Sequence, residues 1–278
     1  EVVVREGDTQ ATIKDKIKFA TILGTMQSTL TDFKYLGAEW KKNCEEERLL
    51  GVSLTGIMDN ELTAYPTSGM LEDFKKVAVK TNEEWAKKLN INPSSAITCV
   101  KPSGTVSQLC NSASGIHARH SEYYIRRVRM DGKDPLCKFM EAKGFPCEVD
   151  VMNNSNMVFS FPMQSPSKSI MRNDMLAIEQ LETWKMYAEH WCEHKPSVTI
   201  SVREEEWVDV GAWVYDHFDS ISGISFLPHS DHSYQQAPYE ECDEQTYIQL
   251  VSKIPMITWG ELSDYEKEDY TTSSQELA

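Results

Sequence analysis

The chain has 278 residues, 40% of them hydrophobic and 26% charged, a composition that suits a soluble globular protein with a core of its own. Its 28 Lys and Arg against 43 Asp and Glu leave a net charge of −15, which argues against a nucleic-acid footprint. No apolar run approaches the roughly 18 residues that span a membrane, and seven irregularly spaced cysteines without a C-x-x-C argue against a secreted disulfide framework and a structural zinc site.

Strand-like and helix-like segments then alternate. Val2–Arg5 reads as a strand. Ile13–Leu30 reads as a helix with Ile13, Ile17, Ala20 and Leu23 on one face and Phe19, Met26 and Leu30 beside them. Leu49–Asp59 is a buried strand ending in small residues. Met70–Leu89 is a second helix, with Ser68 as its cap and Leu71, Phe74, Ala78, Trp85 and Leu89 on one side. Ala96–Val100 is a short apolar strand and Glu122–Met130 an extended one. Pro135–Lys143 is a short helix stopped by Gly144. Met157–Pro162 is a strand, and Asp174–His194 a helix carrying Ala177, Leu181, Trp184, Ala188 and Trp191. Ser197–Val202 and Gly223–Pro228 are strands flanking a helix, Glu204–Phe218, on which Trp207, Val210, Val214 and Phe218 align. Gln245–Lys253 is the last helix, and Thr271–Ala278 frays. The acidic runs Glu45–Glu47 and Glu204–Glu206 and the acid-rich C-terminal stretch read as solvated faces and a tail.

Apolar strands alternating with helices predict an α/β fold with parallel strands, either half of a large barrel or an open doubly wound sheet. In such folds ligands sit at the carboxyl ends of the strands. The strand Ala96–Val100 runs straight into "KPSGT", Lys101–Thr105, and "TVSQLC" then starts a helix. Gly104 lets an anion come close, Ser103, Thr105 and Ser107 offer hydroxyls, Lys101 adds charge, and a helix N-terminus offers N–H groups. The arrangement is not a Walker loop. On these five residues alone a phosphate site and an ordinary capped turn stay equally open. The following "NSASGIHARH" has one bulky apolar residue, Ile116, and places Gly115, His117, Arg119 and His120 near Arg126, Arg127 and Arg129. That basic island points to an anionic ligand, or to arginines paired with the Glu runs. Cys99 and Cys110 read as small core residues. His229, Asp231 and His232 superficially suggest a metal site; a loop after the last strand is the better reading, and no metal is expected.

"KPSGTVSQL" followed by "SGIHARHSEYYIRRVR", together with "RLLGVSLTGIMD" and "GISFLPHSDHSYQQAPYEE", resembles the second half of the adenosylcobalamin-dependent (class II) ribonucleotide reductases, most closely the monomeric ribonucleoside-triphosphate reductases. The matched segments keep their order and cover nearly the whole chain. The resemblance implies the second half of a ten-stranded α/β barrel over residues 1–260, with a flexible acidic tail over 261–278. It implies a cytoplasmic radical enzyme that replaces the ribose 2′-hydroxyl with hydrogen, with adenosylcobalamin as cofactor, a ribonucleoside triphosphate as substrate and a thioredoxin-type reductant. The substrate phosphates would fall to Pro102, Ser103, Gly104, Thr105 and Val106. Ser114, Gly115 and His117 would lie at the cofactor or the active-site mouth.

The sequence departs from the family in its missing parts. The N-x-C-x-E motif with the thiyl cysteine is not present and is expected upstream of Glu1, and the redox pair of the family's tail is expected beyond Ala278. No thiyl or redox role therefore falls to the seven cysteines, and the chain reads as a piece of something larger, inactive without the first half. A split or interrupted reductase serving as an assembly module, and the large subunit of an iron-dependent reductase, are the alternatives. A half-barrel standing alone exposes an edge strand, so association or poor behaviour is expected.

Overall fold

The computed structural model describes residues 1–229 and 234–267. Asp231, His232 and the end of the tail lie outside the described residues. In chain order the elements are β1 (Val2–Val3), α1 (Gln10–Gln27), α2 (Ala38–Glu47), β2 (Val52–Thr55), α3 (Glu61–Ala64), α4 (Ser68–Leu89), β3 (Thr98–Cys99), α5 (Val106–Leu109), β4 (Tyr123–Asp131) and α6 (Pro135–Ala142). They continue with β5 (Cys147–Val149), β6 (Asn156–Gln164), α7 (Ala177–His190), β7 (Val198–Val202), α8 (Trp207–Asp216), β8 (Ile224–Pro228), β9 (Tyr239–Glu241), α9 (Glu244–Lys253) and α10 (Leu262–Tyr265). Among the described residues no helix is long and apolar enough to cross a membrane. The residues gather into two compact units, Glu1–Arg119 with Pro166–His229, and His120–Ser165 with Ser230–Ala278.

The first unit follows the expected α/β pattern. Strands β1, β2 and β3 pair in parallel in that order, with Val2 opposite Leu54 and Val52 opposite Thr98. Strands β7 and β8 form a second parallel pair, with Val198 opposite Ile224. The core joins Ile13 and Ile17 of α1, Leu71 and Phe74 of α4, and Trp184 and Tyr187 of α7 with Leu54 and Ile200. Thr67 caps α4 by accepting from the Met70 N–H, one residue before the expected Ser68. The core face of α1 differs from expectation: Ile13, Ile17, Thr21 and Thr25 are buried, whereas Phe19 and Leu23 are 66% and 67% exposed. The threonines can enter the core because each hydroxyl bonds the carbonyl one turn back, Thr21 to Ile17 at 2.8 Å and Thr25 to Thr21 at 2.7 Å.

The second unit corrects the expectation of parallel strands throughout. Its sheet runs β5-β6-β4-β9 and every pairing is antiparallel. β4 and β6 pair from Tyr123 opposite Gln164 to Asp131 opposite Asn156. The loop from β5 to β6 is short, and parallel neighbours need a crossover of a dozen residues or more. Asp134 caps α6, which packs Cys137, Phe139 and Met140 on Phe145 and Phe159. The arginines of β4 are engaged within this unit: Arg127 pairs with Glu240 at 2.6 Å, Arg129 with Asp150 at 3.2 Å, and Arg126 lies 4.4 Å from the Tyr239 ring. They are the arginines of an ion-paired strand, not a free basic island.

A polar turn held from behind

The KPSGT turn leaves the carboxyl end of β3 in the first unit. The Lys101 N–H donates to Ser53 Oγ at 2.9 Å, which ties the start of the turn to β2. Ser103 is buried and adopts φ 55, the left-handed region. Its hydroxyl donates to Glu1 Oε2 at 2.6 Å, a carboxylate to which the sequence had given no role. Pro102, Gly104, Thr105 and Val106 are exposed. The Ser107 N–H closes the turn on the Ser103 carbonyl at 3.1 Å. The N–H groups of Gly104, Thr105 and Val106 have no acceptor among the described residues.

Two details differ from the expectation. α5 is a single turn of four residues, too short to build an appreciable macrodipole, so the donors here are the N–H and hydroxyl groups of the turn itself. Lys101 lies over Gly51, its Cε 3.3 Å from where a Cβ there would stand. It lines a cleft of about 360 Å³ with Cys99, Pro102, His194 and Lys195.

The segment 111–119 forms a bracket behind the turn. Gly115 is the glycine that the packing requires: its φ is 55 and a Cβ would stand 2.4 Å from the Lys101 carbonyl oxygen. A Cβ at Gly104 meets nothing within 4 Å. Ser114 Oγ and Ser107 Oγ are hydrogen-bonded at 2.7 Å, and the Ser112 N–H donates to the Ser107 carbonyl at 2.9 Å. Thr55 Oγ1 donates to the Ala113 carbonyl at 3.1 Å and accepts from the Gly115 N–H at 2.9 Å.

His117 is locked in one tautomer. Its Nε2 accepts from the Thr199 N–H at 3.0 Å, so Nδ1 carries the proton and donates to the Ser114 carbonyl at 2.9 Å. Burial holds its pKa below 6.5, and the Ser114 bond only partly offsets that. Arg119 is also spent internally: its Nε and Nη2 each reach an Asp59 oxygen at 2.8 Å, with the two side chains 3% and 1% exposed. The structure thus brings Pro102 to Val106 together in one turn, exposed except at Ser103. It places Ser114, Gly115 and His117 behind that turn, as its support. Among the described residues there is no group of three or more His, Cys, Asp and Glu that could hold a metal ion. All seven cysteines are free thiols.

The fold with this turn at a strand end is that of one part of a B12-dependent (class II) ribonucleotide reductase: a crystal structure of such an enzyme matches 96% of this chain and 41% of its own with a TM-score of 0.79 at 22% identity. Sequence similarity points the same way. The adenosylcobalamin-dependent ribonucleoside-triphosphate reductase of Levilactobacillus brevis is 26% identical over 238 residues, 74% of this chain and 32% of its own. That of Lactobacillus delbrueckii subsp. bulgaricus is 28% identical over 242 residues, 76% and 33%. A protein named a probable reductase of the same kind in Dictyostelium discoideum is 29% identical over 228 residues, 78% and 29%. No family model matches the chain. The chain is a homologue of these reductases and spans about a third of the length of the curated relatives it matches.

Proposed function

We propose that this chain contributes the substrate-phosphate turn to an adenosylcobalamin-dependent reductase of ribonucleoside triphosphates. The carrying observation is the contrast at the turn: the N–H groups of Gly104, Thr105 and Val106 are unspent, while the segment behind them is hydrogen-bonded to β2 and β7. Unspent N–H groups beside Ser103 and Thr105 hydroxyls suit phosphate oxygens, which accept several charge-assisted bonds at once. Pro102 starts the turn and Val106, the first residue of α5, ends it with an N–H still unspent. Ser103 Oγ now serves Glu1, so a phosphate that takes the Ser103 hydroxyl displaces that carboxylate.

In the reaction the ribose 2′-hydroxyl leaves as water while a thiol pair is oxidised to a disulfide, which a thioredoxin-type reductant restores. The relatives are named for adenosylcobalamin, which as their cofactor would supply the initiating radical. Ser114 and His117, half-buried and hydrogen-bonded behind the turn, with Gly115 between them, are the residues of this chain that the reading sets at the cofactor or the active-site mouth. Barrel closure over residues 1–260, catalysis and a cytoplasmic setting belong to the larger protein of which this chain is read as the second half.

Calorimetry with a ribonucleoside triphosphate tests the turn, using this chain with and without the first half of a reductase supplied separately. Ser103→Ala and Gly104→Ala should each weaken binding at least fivefold. Unchanged affinity in both variants would make "KPSGT" an ordinary capped turn.

A further inference from the structure

We infer that the buried Asp59–Arg119 pair is a positioning device for the turn 102–106 and thereby sets its affinity for a polyphosphate. The inference rests on the phosphate assignment of that turn. Neither residue belongs to the turn; the pair sits at the far side of the bracket.

The Asp59 carboxylate receives four donors. Oδ1 accepts from Arg119 Nε and from Ser169 Oγ, each at 2.8 Å. Oδ2 accepts from Arg119 Nη2 at 2.8 Å and from the Ala113 N–H at 2.7 Å. The same guanidinium donates to the Asn111 carbonyl at 3.1 Å and to Asn111 Oδ1 at 3.3 Å. The pair therefore grips both Asn111 and Ala113, the first half of the bracket. The second half, Ser114 and Gly115, touches the turn directly, through Ser107 and through the Lys101 and Pro102 carbonyls. The path from the pair to the turn is a chain of hydrogen bonds, the last of them between the Ser114 and Ser107 hydroxyls, together with one close backbone approach at Gly115.

Stability alone does not account for an ion pair in this place. Two charges this deep lose their hydration, and a well-packed apolar pair is as stable or more so. A bidentate fork nevertheless fixes direction as well as distance. An apolar contact would let the bracket slide, and the fork does not. A turn whose donors must face phosphate oxygens depends on that difference, because a displacement of about 1 Å spoils charge-assisted hydrogen bonds.

The test uses Asp59→Leu/Arg119→Met, which removes both charges together, with Lys76→Met at the exposed Asp73 pair as control. Two quantities are read on the whole chain: the affinity for ATP and for inorganic tripolyphosphate, and the hydrogen exchange of single amides without ligand. The Ser107 N–H, bonded to Ser103, reports the turn, and the Ile200 amide in β7 reports the unit. A purely structural pair would lower both protections in step and leave the affinity of the folded protein alone. A positioning pair should lower Ser107 protection well beyond that of Ile200 and weaken both ligands tenfold or more. Equal loss of protection with unchanged affinity overturns the inference. If the unaltered chain binds neither ligand even with the first half of a reductase supplied, the phosphate assignment fails, and the exchange at Ser107 still decides whether the pair holds the turn. If the double variant does not fold, Ser107→Ala/Ser114→Ala cuts the bracket from the turn and leaves the pair in place. With only the Ser112–Ser107 backbone bond and the Gly115 approach left between them, it should weaken ATP threefold or more and lower Ser107 protection beyond that of Ile200; no change in either overturns the inference.

Discussion

Gly115 and Gly104 sit eleven positions apart and do opposite work. Alanine at Gly115 meets both a left-handed backbone and the Lys101 carbonyl at 2.4 Å, so Gly115→Ala should cost about 2 kcal/mol or more in urea unfolding. Alanine at Gly104 meets open space, and Gly104→Ala should stay within about 0.5 kcal/mol. Any loss of nucleotide affinity in Gly104→Ala then reports a ligand at that place and not a disturbed fold. His117 makes a pH prediction with a definite sign. Its folded pKa lies below 6.5, so between that value and 6.5 the unfolded chain binds the extra proton. Its contribution is complete above pH 6.5 and is lost as pH falls toward the folded pKa, with a slope of at most about 1.4 kcal/mol per pH unit. His117→Gln should lack that slope, so the difference between the two profiles isolates it; identical profiles from pH 5 to 7 would refute the lowered pKa. The sequence showed which polar residue types gather in this region but not which of them face outward and which are spent on internal bonds. "SGIHAR" looks like a cluster of ligands because nothing local reveals that Asp59, sixty residues away, has already taken Arg119.

At the scale of elements, α1 separates apolar character from burial. Ile17→Ala should cost about 2–5 kcal/mol in a denaturant titration, whereas Leu23→Ala should stay within about 0.5 kcal/mol. Similar losses for the two would place the helix in the wrong rotation. Its phase was not legible in the sequence because Thr21 and Thr25 hide their polarity by bonding back along the helix, while Phe19 and Leu23 advertise a face that this chain leaves open. Most of the long elements were legible, since α4, α7, β7 and β8 carry clean periodicities. The antiparallel sheet was not. Strand direction leaves no trace in the alternation of "YYIRRVRM", and the short strands β5 and β9 fall below the length at which a pattern forms.

At the scale of the whole molecule, several large apolar side chains stand exposed among the described residues, Phe19, Leu23, Leu30 and Trp40 among them. Phe19 and Leu23 line a cleft of about 870 Å³ together with Val2 and Val3 of β1, Leu49 and Leu50, and β1 is an edge of its sheet. Patches of this kind mark contact surfaces. The chain alone should self-associate in sedimentation velocity across a concentration series, and Phe19→Ser/Leu23→Ser should shift it toward monomer. A monodisperse, cooperatively melting monomer would count against this picture.

Ser103 carries a further consequence. A serine at φ 55 holds a conformation that costs an L-residue roughly 1–2 kcal/mol and costs glycine almost nothing. Ser103→Gly is therefore expected to raise stability by up to about 1 kcal/mol while removing the hydroxyl that now reaches Glu1. Selection for a sturdier protein and selection for a tighter ligand pull this one codon in opposite directions. A laboratory drift under thermal challenge without a phosphate ligand should fix glycine there, and the same drift with selection for retained ATP binding should keep serine.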